Sequence, residues 1–145
     1  MPGVANDFGT CLFANGSLCA GTGNPDAAVT SGAAFNNGTP HIFTFTRKRS
    51  TGLISLYVDG NLSGTNTGGT QSLTAPAQLV LGAQQTLINF LTGDIAEVKI
   101  YNAALADAER TIREQAGAEI ICHTGHLAVH QARGGPLFQG RRWRC

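Results

Sequence analysis

Charge is scarce in this sequence. Asp, Glu, Lys and Arg together make up 13% of 145 residues, and the net charge is +1. Disordered chains, nucleic-acid-coating chains and long solvated helices carry more than this. Long apolar runs are missing too: none approaches the ~20 residues of a membrane-spanning helix, so no membrane insertion is expected. Met1-Pro2-Gly3-Val4 has neither a basic start nor an apolar stretch, and no signal peptide is read there. Heptads and internal repeats are absent. No Glu-x-Asp-x-Glu run exists to supply paired carboxylates on one strand face, and no nucleophile elbow occurs.

What is there is glycine, at 19 residues, with frequent Thr, Ser and Asn. That balance belongs to a turn-rich all-β protein, and the length suits one domain with a substantial core. Thr10 to Ala20 reads as a hairpin about Asn15-Gly16. His41 to Arg47 alternates Ile42, Thr44 and Thr46 against Phe43 and Phe45, a strand with an aromatic inner face. Leu53 to Val58 is the next strand, and Asp59-Gly60 reverses the chain towards Asn61–Thr65. Gln78 to Leu81 is a further short strand after a loose link. Gly93 to Asn102 alternates Ala96, Val98 and Ile100 against Glu97, Lys99 and Tyr101. A short helix then begins near Asp107, a possible N-cap, with Leu105, Ala108, Ile112 and Ala116 on one face. Five or more short strands with turns about every 10 residues predict an antiparallel β-sandwich or jelly roll.

The composition changes near residue 117. Residues 1–116 carry six basic and eight acidic side chains, whereas 117–145 carry four Arg against Glu119, three of the four His and the only Trp. The reading is a sandwich domain over 1–116 followed by a basic, poorly ordered tail over 117–145.

Two blocks carry a family likeness. The first runs from His41-Ile42-Phe43-Thr44 through Leu53-Ile54-Ser55-Leu56-Tyr57-Val58-Asp59-Gly60. The second is Leu79-Val80-Leu81-Gly82, then Gly93-Asp94-Ile95-Ala96-Glu97-Val98-Lys99-Ile100-Tyr101-Asn102 with Leu105 and Asp107-Ala108-Glu109. Together they resemble the C-terminal part of laminin-G-like and pentraxin-like domains, the concanavalin A-like jelly rolls. The resemblance implies an all-β sandwich entered part-way, without the usual opening strands, and with one short C-terminal helix. It also implies an extracellular or cell-surface setting. An open edge left by missing strands would invite self-association.

Departures from that pattern shape the expected chemistry. Where pentraxins hold calcium on an acidic run, this chain has Ala83-Gln84-Gln85-Thr86, and calcium prefers several charged oxygens. No metal or other cofactor is therefore expected. The pentraxin-type Cys two residues after the His is Phe43 here. Asn24-Pro25-Asp26, and Asn89 with Asp94, are loop oxygens equally explained by turn formation. In the tail, Cys122, His123, His126 and His130 with Cys145 have a loose zinc-like spacing, weakened by Gly125.

For the remaining candidates the residues favour binding over catalysis. Asp94 and Glu97 fall on opposite faces of a strand and do not form a catalytic pair. His41 suits a hydrogen bond at a strand start. The dense basic cluster Arg47-Lys48-Arg49, expected at a hairpin tip, is the candidate ligand-binding site, suited to anionic glycans. The expected function is a non-catalytic module recognising a carbohydrate or a cell-surface protein, with no specific nucleic-acid partner. The rivals are a remnant glycoside hydrolase or lyase of the same fold and an inert spacer.

Cys11 and Cys19 depend on turn length. A two-residue Asn15-Gly16 turn pairs Leu12 with Cys19, sets Cys11 opposite Ala20 and leaves free thiols. One more loop residue sets Cys11 opposite Cys19 and allows a bridge. The shorter turn gathers the more consistent apolar face, so free thiols are expected.

Overall fold

A computed structural model describes residues 7–23, 25–32, 34–73, 79–84, 87–102, 104–115 and 128–130. Two antiparallel sheets form. One has three strands, β1 (Phe8–Leu12), β2 (Leu18–Thr22) and β3 (Ala27–Thr30), in that order. The other contains β4 (Ile42–Lys48), β5 (Leu53–Val58), β6 (Asn61–Thr67), β7 (Glu97–Lys99) and β8 (Ala128–His130), in the order β6-β5-β4-β8-β7. One helix, α1 (Asp107–Gln115), completes the described elements.

The core lies between the sheets. Leu18, Ala20 and Val29 from the first meet Phe45, Ile54, Leu56 and Val58 from the second, with Phe43 packed against them. Period-two alternation explains this set, since Ile54, Leu56 and Val58 share one face of β5 and Phe43 and Phe45 one face of β4. Asp59 and Gly60 both have positive φ, at 49° and 82°, the geometry of a tight hairpin turn matched to strand twist. On one side the sheets approach closely. A Cβ at Gly64 of β6 would lie 2.7 Å from Val29 Cγ2, and the Asn66 amide donates to the Ala28 carbonyl at 2.7 Å. On the other side, the outer edge of β1 has no neighbouring strand among the described residues.

The hairpin register departs from the expected one. Leu12 pairs with Leu18 and Cys11 with Cys19, and Phe13 N–H donates to the Ser17 carbonyl across a three-residue loop. Asn15 Oδ1 accepts from the Ser17 N–H and hydroxyl, and Gly16 has φ +82°. Cys11 and Cys19 are therefore joined in a disulfide. The expectation of free thiols fails because β2 is buried along its whole length, so one apolar face could not select the register.

The closing stretch differs as well. Strand pairing covers only Glu97–Lys99, and Ile100, expected inside, is 46% exposed beyond its end. Leu79, Val80 and Leu81 form no strand, and Leu79 and Leu81 are exposed. In α1, Ile112 faces solvent at 65% exposure, and among the described side chains of the helix Arg110 is the buried one. Its guanidinium stacks over the Tyr57 ring, 3.7 Å from the centroid. Arg110 N–H donates to the Ala106 carbonyl, which makes Ala106 the cap and places Asp107 in the first turn. Residues Ala128–His130 supply β8, which lies between β4 and β7.

Candidate functional site

The basic trio divides. Arg47 shares the inner parity of Phe43 and Phe45, and it is 3% exposed. Its Nη2 donates to the carbonyls of Gly69 and Gln71, tying the chain after β6 to the end of β4. Burial, and then Arg49, pushes its pKa below the ordinary arginine value. Lys48 is exposed, and Arg49 donates through Nε to the Thr70 carbonyl at 3.2 Å. The site read from the sequence is thus one structural clamp beside two surface cations. Strand parity, extended one step past Phe45, is the signal that marks Arg47 as inward.

The opposite end of β4, about 20 Å away at strand rise, holds the concave surface. His41 Nδ1 donates to Asp59 Oδ2 at 2.7 Å, and Nε2 lies 3.0 Å from Asn37 Oδ1 and 2.9 Å from Thr39 Oγ1. Asp59 Oδ1 accepts from the Ile42 N–H at 2.8 Å, so one carboxylate fastens the start of β4 to the β5–β6 turn. Phe35 meets the imidazole edge-on at 5.0 Å. This is the hydrogen-bonded histidine that its strand-start position predicts. It borders a cavity of about 270 Å³ that Asp94 also lines.

A larger cleft of about 530 Å³ adjoins it, sharing Leu12, Phe43 and Leu91. One wall is Thr10–Ala14, the other residues 80–84 and 89–91, with Ile95 beyond. The far wall is held by its own bonds: Leu91 N–H donates to the Gly82 carbonyl, and Gln84 N–H to the Ile88 carbonyl. Asn89 donates its amide to Gln84 Oε1 at 3.0 Å. Leu87 and Asn89 take positive φ, a strained pair within that loop. Phe13, 48% exposed, and Phe90, 70% exposed, both line this cleft. Sequence reasoning missed both rings. Phe13 flanks a turn and Phe90 lies in a loop, where periodicity carries no signal.

The other candidates are placed as follows. Glu97 pairs with Lys99 at 3.2 Å, away from Asp94's role in the smaller cavity. Among the described residues no group of three or more His, Cys, Asp or Glu could hold a metal ion. Asn24, Gln85, Thr86, Cys122, His123, His126 and Cys145 lie outside the described residues, as do Gln78 and Ala116. No described helix is long and apolar enough to cross a membrane.

Fold and cleft define an all-β sandwich of the concanavalin A-like class, in general terms a binding or extracellular module. The chain belongs to the Laminin_G_3 family, of the concanavalin A-like lectin/glucanases superfamily, whose profile matches residues 5–109. No curated protein matches the sequence. Among solved structures, a crystal structure of an S-layer domain-containing protein from Clostridium thermocellum is similar, with 20% identity and a TM-score of 0.48. That match covers 68% of this chain and 52% of the other, so the chain spans about half the length of that structure.

Proposed function

We propose that the chain is a non-catalytic recognition module whose cleft binds a carbohydrate or a surface protein, as part of a larger extracellular protein. The observation that carries this reading is the pair of exposed rings, Phe13 and Phe90, lining one uncharged cleft. Aromatic faces give large contact area at small entropic cost, and sugars and apolar side chains both stack on them. Glycosidic hydrolysis uses two carboxyl groups, whereas Asp94 is the one carboxylate among the described residues lining either cavity. The Cys11–Cys19 bridge supports an oxidising, exported setting. Lys48 and Arg49, at the far hairpin, are a second contact suited to anionic groups.

The test is a panel of immobilised glycans and surface-protein ectodomains probed with the wild-type chain and with the Phe13→Ala/Phe90→Ala double variant. Binding should fall at least tenfold in the double variant while its melting temperature stays close to wild type. Equal binding by the double variant, or release of reducing sugar from any glycan, overturns the proposal.

A further inference from the structure

The larger cleft runs along an unpaired strand edge. β1 is the outer strand of its sheet, and its second edge has no neighbouring strand among the described residues. Phe13 N–H donates to the Ser17 carbonyl and Gly23 N–H to the Asp7 carbonyl. Antiparallel pairs alternate between bonded and non-bonded, so Gly9 and Cys11 turn their backbone groups towards β2. Phe8, Thr10 and Leu12 turn theirs outward. The far side of β2 fixes the same parity, because Leu18, opposite Leu12, accepts from Ser31 N–H and so faces β3.

Such an edge accepts another chain unless charge, proline or a bulge blocks it. Phe8-Gly9-Thr10-Cys11-Leu12 contains no charge and no proline, and its pairing with β2 runs without a register shift. The cleft lies along this edge and not over one face. Consecutive residues from Thr10 to Ala14 line it, and neighbours on a strand point to opposite faces. No charged side chain lines it.

The far wall selects the occupant. A second copy would bring β2 and β3 behind its own β1 and run into residues 80–84 and 89–91. A cleft of about 530 Å³ bounded by both walls leaves room beside β1 for one extended segment and not for a second sheet. We infer that the cleft receives an extended, uncharged peptide segment of a partner protein as a strand added along β1. The N–H and C=O groups of Thr10 and Leu12, with those of Phe8 on the same edge beyond the cleft's end, bond its backbone, and Leu81, Phe90 and Leu91 cover its apolar side chains. This rests on the reading that the cleft is the binding site, and it narrows that site to peptide.

The experiment uses the full chain, ¹⁵N-labelled. A random dodecapeptide display library is selected against it, and enriched peptides are synthesised plain and with N-methyl groups at alternate residues. Plain peptides should shift the amide resonances of Phe8, Thr10 and Leu12 and slow their hydrogen exchange. N-methylation in the bonding register should weaken binding about tenfold or more, as lost backbone hydrogen bonds do, and in the other register should not. The methyl groups sit on the peptide, so the protein's folding is not at issue. Equal binding of both N-methylated series overturns strand addition. So does failure to enrich any peptide while cellohexaose shifts Phe13 and Phe90, an outcome that leaves the cleft as a sugar site. Silence from both probes overturns the strand proposal and the cleft reading together.

Discussion

Arg47 shows how far one residue's role depends on parity. Read as the first of three surface cations, it suits an anionic ligand. Placed two residues after Phe45, it is carried into the end of the core, where the Gly69 and Gln71 carbonyls accept hydrogen bonds from its Nη2. Arg47→Ala should cost about 1–3 kcal/mol in a urea titration, because those carbonyls lose their donor. Lys48→Ala should stay within about 0.5 kcal/mol, as exposed substitutions do. Equal costs would return Arg47 to the surface. Ile100 makes the reverse point. Exposed beyond the end of β7, it should tolerate Ala within about 0.5 kcal/mol, whereas Phe45→Ala, fully buried, should cost about 3–5 kcal/mol. A comparable loss at both positions in thermal melts would show that Ile100 packs inside.

At the scale of elements, the central strands were legible because one face carries the large apolar side chains and the other carries Thr44, Thr46, Ser55 and Tyr57. Alternation over His41–Arg47 placed Phe43 and Phe45 on the inner face, Leu53–Val58 read as the next strand, and Asp59-Gly60 marked its own turn. Where apolar or small residues stand on both faces, or pairing is brief, alternation loses its grip. β2 is buried throughout, which hid the hairpin register, and three-residue β7 gives too short a ladder to carry Ile100 inside. The helix face was misread because its docking partner is the ring of Tyr57, which favours a guanidinium over Ile112. The cleft was the least legible feature, since its far wall is loop and its aromatics lie outside any period. The bridge adds an element-scale expectation. Cys11 and Cys19 are 8 residues apart. Closing so short a loop stabilises by about 2.5 kcal/mol on the chain-entropy account. The Cys11→Ser/Cys19→Ser variant should lose roughly that much in denaturant unfolding. Alkylation of the unfolded, unreduced wild type should leave both residues unlabelled.

For the molecule as a whole, Asp7 gives stability a dependence on pH. Burial, and then the nearby Asp26, raises its carboxyl above the ordinary carboxylate range, outweighing the lowering effect of backbone hydrogen bonds. The folded state therefore takes up this proton at a higher pH than the unfolded chain does. Between the two values the folded state holds more protons, so this group's contribution to stability declines as pH rises through that window. Asp7→Asn should remove that part of the slope in melts recorded from mildly acidic to neutral pH. An unchanged slope would place the carboxyl in water.

The succession of β4, β5 and β6 along the chain bears on the order in which the molecule assembles. These strands are consecutive from Ile42 to Thr67, joined by the turns at Gly52 and at Asp59-Gly60. Neighbouring segments close at small entropic cost and form early, whereas the first sheet must dock across the seam at Gly64 and Val29. In stopped-flow experiments, a proline at Asp59 should slow refolding, while a bulkier residue at Gly64 should chiefly hasten unfolding. That outcome would make the meander the nucleus, with the sheet that carries the cleft the last part to arrive and the first to leave.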